Sequence, residues 1–500
     1  MASAVSTLRR LEKPAEFFLC AGALLYLLVY IGVALQRMVY PFELEWMEGG
    51  VVTHVQRILD GEALYVQPSL NFVTNLYAPL YFYVSALVAL VTGNGFFPLR
   101  LVSFVASLGS LALIFLIVRR RTASISAAFL AACLFAATFR ISGAWFDIAR
   151  VDSLFLCLLL AGLYAFDSPG MLVRSLAAPL LVFLSAFTKQ PALIVAIALS
   201  VVALLTRKGF ERLAFPVVFG VLFAGSYLLM NRLTAGWYEY YVFDLPVQHG
   251  IEGAYLLGFW TEDILRNVGI ALGFCLVAAW SVIGSPTGAG KRDRVIADVC
   301  ILGSLFVASY LSRIHSGGYN NVLMAVYAGV AIYFGIGLDA ALKAASRQSG
   351  LRLAILGMAM AQFLLLLYWP QWQVPTRADR EQGEKILERV SAIDGEVYWA
   401  DHPWYLRLLG RPTQAQDMAI IDVVRASGSL EWRQILEGEM ARAVAEQRYA
   451  AFVLDFEQFS LRPPDFEARY QLVDADLSGS HFRMMTGYDR HPRYLYVRRP

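Results

Sequence analysis

Apolar runs of about twenty residues recur along most of this chain, and short basic groups separate them two by two. A helix needs a run of that length to cross the hydrocarbon core of a bilayer, and cytoplasmic loops collect Lys and Arg. The first run lies between Phe17 and Val39, behind Arg9, Arg10 and Lys13. The later basic groups are Arg119–Arg121, Arg174, Arg207/Lys208/Arg212, Lys291/Arg292/Arg294 and Lys343/Arg347/Arg352. Between successive groups there is room for pairs of spans at 98–118 and 125–144, 152–167 and 175–189, and 191–206 and 213–231. The pairs 264–284 and 295–312, then 322–342 and 351–369, complete the series.

The stretch Tyr77–Val91 decides the parity. Counted as a span, it would put every later basic group outside. It is short, aromatic-rich and opens at Pro79, so it reads as a helix lying at the headgroup level, which puts all six groups inside. The expectation is eleven spans with the N-terminus cytoplasmic and the C-terminus outside, in a bacterial inner or plasma membrane. The first run is too long for a signal h-region and has no small-x-small cleavage site after it, so it reads as an uncleaved span.

Composition agrees. Of 500 residues, 58% are hydrophobic and only 16% charged, and lipid is the solvent that accommodates such a surface. A net charge of +3, with its cations scattered, leaves no footprint for nucleic acid. The five cysteines all sit in apolar runs, which argues against a disulfide framework or a zinc site. After Pro375 the sequence turns charged and punctuated. Helices are expected over 378–390 and 431–447, and strands over 396–400, 451–455 and 494–498, as in a small α/β domain over 376–500 outside the membrane.

The unusual polar residues all fall in segments this topology places outside. The first outer loop, about 40–97, carries Glu45-Trp-Met-Glu48-Gly-Gly, with His54 and Arg57 following at the same spacing of three. On a helix each pair shares a face. Two carboxylates beside a His and an Arg suit a general base for a hydroxyl and a clamp for phosphate. Asp147, Arg150 and Asp152 flank the turn before the span at 152: Asp147 and Arg150 can pair along a helix end, Asp152-Ser153 makes an N-cap, and an outward Arg150 suits a phosphate. Lys189, in Thr188-Lys189-Gln-Pro191, is an ionisable residue amid apolar runs, which reads as a functional site. In Arg313-Ile-His315-Ser-Gly317-Gly318-Tyr-Asn320, two glycines let the backbone approach a ligand beside His315 and Asn320. In the tail, Asp401-His402-Pro-Trp404-Tyr405 is a weaker candidate for an acceptor contact.

In this order the features resemble the GT-C class of membrane glycosyltransferases, and most of all the bacterial protein O-mannosyltransferase and aminoarabinose-transferase superfamily. The resemblance covers about residues 15–370 and is one of pattern. Glu45-Trp-Met-Glu48-Gly49 stands where that family has an adjacent acidic pair and a small residue. Tyr77-Ala-Pro79-Leu80 is similar to its His-Pro-Pro-Leu segment, Arg150-Val-Asp152 to its Arg-x-Asp turn, and Thr188-Lys189 to its Thr-Lys turn. The resemblance implies a GT-C-like transmembrane domain over 1–370 and an inverting transfer of a sugar from a polyprenyl-phosphate carrier to a glycan, lipid or protein hydroxyl. It implies that Glu48 or Glu45 activates the acceptor and that Arg57, Arg150 and Lys189 hold the carrier phosphate. The resemblance fixes no cofactor and needs no nucleotide-sugar site; a divalent metal on Glu45 and Glu48 stays open because some relatives use one. The alternatives are a polymerase or ligase of lipid-linked glycans, and a transporter or flippase for envelope lipids.

Overall fold

The computed structural model describes residues 2–283, 290–479 and 481–500, with side chains from residue 10 onward. Long apolar helices make up the first three quarters. They are α1 (Ala2–Met38), α4 (Phe96–Thr122), α5 (Ile125–Ala137), α6 (Asp152–Phe166), α7 (Ala178–Ala186), α8 (Ala192–Thr206), α9 (Glu211–Leu233), α10 (Arg266–Ile283), α11 (Lys291–Ile314), α12 (Met324–Ala344) and α13 (Ser349–Leu365). Two helices of the first outer loop, α2 (Glu48–Leu59) and α3 (Leu80–Thr92), lie between α1 and α4.

Among the described residues six helices are long and apolar enough to cross a bilayer alone, and a seventh is reached if α13 and its continuation, bent by 47°, count as one span. The other expected spans, at 125–144, 152–167, 175–189 and 191–206, are apolar helices of 13 to 15 residues, the third counted with the π-helical turn Val173–Ala177 that leads into α7. The last residue of the expected span 264–284 lies outside the described residues. The Tyr77–Val91 stretch is helical from Leu80, with Pro79 as N-cap.

Each turn follows from its residues. Helix α4 ends on three arginines at Ala123, a left-handed cap with φ 60°, and Ser124 then caps α5 by accepting from the Ala127 N–H at 3.2 Å. Helix α12 is apolar on every side and is the buried centre of the bundle.

All six basic groups gather at one end. Arg352 pairs with Glu12 (2.9 Å), Lys343 donates to the Thr122 carbonyl (3.2 Å), Arg121 pairs with Asp298 (2.9 Å), Arg294 with Asp167 (3.2 Å) and Arg174 with Glu211 (2.5 Å). Arg207 completes the belt by donating to the Phe166 carbonyl. Helix α4, about 40 Å long at 1.5 Å per residue, carries Arg100 at its other end, and α11 likewise runs from Arg294 to Arg313.

The C-terminal region begins with α14 (Arg377–Ser391), whose Thr376 and Asp379 form a capping box. It adds α15 (Asp417–Val424), α16 (Leu430–Ala445) and a four-stranded sheet of β1 (Val397–Tyr398), β2 (Ala451–Leu454), β3 (Tyr470–Asp474) and β4 (Tyr494–Arg498). The order is β1-β2-β4-β3, parallel between the first two and antiparallel otherwise. The strand expected over 396–400 is only two residues long. This region sits on the end away from the basic belt, where His402 bridges Glu43 and Asp455. Their carboxylates outweigh the effect of burial and hold the His402 imidazole well above its ordinary pKa, so the bridge is an ionic clamp. His402 is thus packed rather than open to an acceptor.

Candidate active site

A cavity of about 440 Å³ lies at the same end, walled by the segments that connect the helices and roofed by α15 and the 487–488 loop. Of the residues singled out in the sequence, Glu45, Tyr77, Arg150, Lys189 and His315 line it. They come from five separate connections, so only the tertiary fold unites them.

Glu45 precedes α2 and turns to Arg150, with Oε2 3.2 Å from Nη1. The second Arg150 nitrogen, Nη2, donates to the Tyr77 hydroxyl at 2.9 Å, and the guanidinium stands over the Trp145 and Tyr77 rings. Burial, reinforced by Glu48 and Glu43, pushes the Glu45 carboxyl up to about 8 although Arg150 opposes the shift. Gly487 makes this arrangement possible. Its φ is 82°, and a Cβ there would lie 2.9 Å from the Glu45 Cγ.

Glu48 is built differently. It opens α2, and its carboxylate accepts four N–H donors: Arg100 Nε (3.0 Å) and Nη2 (2.6 Å), Leu44 N (2.7 Å) and Ala149 N (2.7 Å). Burial alone would raise it, but Arg100 and these donors outweigh burial and hold it below the ordinary carboxylate range. Glu48 does not reach the cavity wall. The two glutamates do not share a helix face, because the helix begins only at Glu48. Facing different arginines, they also do not fit a shared divalent cation. Among the described residues, no cluster of three or more His, Cys, Asp or Glu could hold a metal.

Lys189 occupies the turn between α7 and α8. Its Nζ lies 2.5 Å from Asp152 Oδ1, which also accepts from Asn321 Nδ2 (2.9 Å), while Asp152 Oδ2 accepts from Trp145 Nε1 (2.9 Å). The expectation that Asp152 caps a helix is therefore corrected: Val151 is the N-cap, and Asp152 anchors Lys189 from behind the wall. The expected Asp147–Arg150 pair does not form either. Residues 138–151 are turns, not a helix end, and Asp147 pairs with the buried Arg37 at 3.2 Å.

Three further expectations need correction. His54 is buried scaffolding: Nδ1 donates to the Gly50 carbonyl (2.6 Å) and Nε2 accepts from the Asn75 N–H (2.9 Å). Burial lowers its pKa to about 4, so the ring is neutral and able to accept. Arg57 points away to the Ala63 carbonyl, Glu62 and the Phe72 ring, and does not line the cavity where a phosphate clamp was expected. Asn320 lies off the wall, where its neighbour Asn321 stands instead.

Sequence reasoning missed several lining residues. The Asn75 side chain is buried, with neither amide atom hydrogen-bonded within the protein. Gln190 Nε2 donates to the Leu76 (2.6 Å) and Val242 (2.9 Å) carbonyls, tying the walls together. Arg425 and Asp422, paired at 2.5 Å, bring a further cation from α15 and the residue after it.

The fold has solved counterparts. The crystal structure of ArnT from Cupriavidus metallidurans bound to undecaprenyl phosphate matches with a TM-score of 0.58 at 15% identity, over 95% of this chain and 97% of that one. Its apo state matches at 0.49 and 14% identity, over 95% and 97%. The Archaeoglobus fulgidus oligosaccharyltransferase, in complex with Zn and sulfate, matches at 0.47 and 12%, over 86% of this chain and 67% of that one. No family model and no curated protein matches the sequence. The chain is an integral membrane protein with the GT-C fold of ArnT.

Proposed function

We propose that this protein is a membrane glycosyltransferase that moves a sugar from a polyprenyl-phosphate carrier to a hydroxyl acceptor at the extracytoplasmic face. The positive-inside rule supports that orientation, since the basic belt and the cavity lie at opposite ends of the bundle. One observation carries the reading. A raised carboxylate, Glu45, shares one cavity with two cations, Arg150 and Lys189, each held by its own partner. The ArnT structure of the same fold holds undecaprenyl phosphate, the kind of lipid that the proposed transfer would release.

In the proposed reaction the acceptor oxygen bonds to the anomeric carbon as the carbon–phosphate-oxygen bond breaks, with inversion in a single displacement. The acceptor's proton passes to Glu45, whose affinity for it suits a base working near neutral pH. The phosphate leaves as an anion, and Arg150 and Lys189 stabilise the charge it gains. Asn75, with both amide atoms open, supports a contact to a sugar hydroxyl. The test is release of polyprenyl phosphate and labelled product from a panel of polyprenyl-phosphate sugars by wild type and E45Q. Removing a general base lowers such rates by about 10²–10⁴-fold. An E45Q enzyme as fast as wild type would remove the assignment, and a wild type inert with every donor would favour the transporter alternative.

A further inference from the structure

A second cavity, of about 180 Å³, lies at the basic end between α4, α6, α8, α11 and α12, far from the site above. Its deeper wall is apolar, with Val202, Leu305 and Ile332, and its rim carries four arginines and three aspartates. Two of the arginines are neutralised. Arg121 grips Asp298 with both terminal nitrogens at 2.9 Å, and Arg294 pairs with Asp167 at 3.2 Å.

Arg120 and Arg207 differ. Arg120 donates once, to the Tyr164 carbonyl (2.7 Å), and stacks on that ring at 3.5 Å. Arg207 donates once, to the Phe166 carbonyl (3.1 Å). Among the described residues neither is in ion-pair contact with a carboxylate, although Asp167 and Glu211 lie within electrostatic reach of Arg207, so each keeps several unused N–H donors on one cavity. Arg207 is partly buried and Arg120 exposed; a partly buried guanidinium outside an ion pair is unfavourable, and the planar fork of each matches phosphate oxygens in pairs. Basic pockets between spans, with an apolar floor below, suit an amphiphile whose head is anionic.

We propose that this cavity binds the phosphate of an anionic membrane lipid, held by Arg120 and Arg207, with the lipid's hydrocarbon against the apolar wall. The proposal does not depend on the transferase reading. The experiment titrates delipidated full-length protein in detergent with dioleoyl phosphatidylglycerol, dioleoyl phosphatidylcholine and, separately, inorganic phosphate, and counts bound lipid by native mass spectrometry. Wild type should prefer phosphatidylglycerol by tenfold or more. R120Q/R207Q should lose that preference, while K208Q/R212Q, which removes two exposed cations at the same end, should keep it within twofold. R207K preserves the charge without the fork and should weaken binding several-fold; it decides the matter if the double variant does not fold. Unchanged binding by R120Q/R207Q, or by R207K where it must decide, overturns the site. Equal loss in K208Q/R212Q reduces it to diffuse attraction and overturns it too. Displacement of bound phosphatidylglycerol by inorganic phosphate at equal concentration would make the ligand a soluble anion and overturn the lipid assignment.

Discussion

Glu48→Gln separates the two glutamates of the first outer loop. In the native protein the Glu48 carboxylate neutralises Arg100, which is fully buried, donates to the carbonyls of Arg37, Tyr40 and Phe42 and stands over the Phe96 ring. A Gln side chain removes the charge and offers one acceptor oxygen where four donors converge. Its amide N–H groups would meet Arg100, Leu44 N or Ala149 N. Breaking a buried pair in this way costs about 3–5 kcal/mol. Thermal unfolding in detergent should therefore drop sharply for E48Q, while E45Q, which also unpairs a buried arginine (Arg150) but replaces a carboxyl raised to about 8 and so largely protonated near neutral pH, should drop less and lose transfer. An E48Q protein that unfolds like wild type and is inactive would refute this division and make Glu48 the base.

Glu45, raised to about 8, gives the activity a pH limb. Because the carboxylate is the working form, kcat/KM, which reports the free enzyme, should rise with pH and level off above about 8, while kcat, read with the anionic donor bound, levels off higher; a kcat/KM profile flat from pH 6 to 9 counts against Glu45. Asp152→Asn should release Lys189 from its 2.5 Å anchor, and misplacement on that scale lowers kcat/KM by about 10²-fold without moving the pH limb. Gly49→Ala would put a Cβ 2.0 Å from Glu43 Oε1 and 3.1 Å from the Trp404 Cβ, so overpacking should destabilise the fold by about 1–3 kcal/mol in the same unfolding assay.

Much of this was legible in the residues. Hydropathy runs and basic groups outlined the helices, and the parity argument at Tyr77–Val91 anticipated that the six groups share one end. The same topology put both first-loop glutamates on one side with Arg150 and Lys189, but the glutamate that meets them in the cavity is Glu45, while Glu48, the first choice from sequence, is turned to Arg100. What stayed hidden depends on long-range contacts. Arg100 sits in the apolar stretch Phe96–Phe104, and its presence there was a signal, since a charge inside a span needs a partner. Asking for that partner would have assigned Glu48 to Arg100. The Asp147–Arg150 pairing failed because local spacing cannot distinguish a helix end from the irregular turns at 138–151. Asp422 and Arg425 carry no sequence signal, because the C-terminal region reaches the cavity only through tertiary docking.

The most direct measurement is equilibrium binding of undecaprenyl phosphate to purified wild type and R150Q, each first shown to be folded. Charge-assisted contacts of about 1.5–3 kcal/mol predict saturable binding by wild type and a loss of roughly 10- to 100-fold in the variant. Equal affinity in both would mean that the lipid phosphate does not lie beside Arg150, and the proposed site would be wrong.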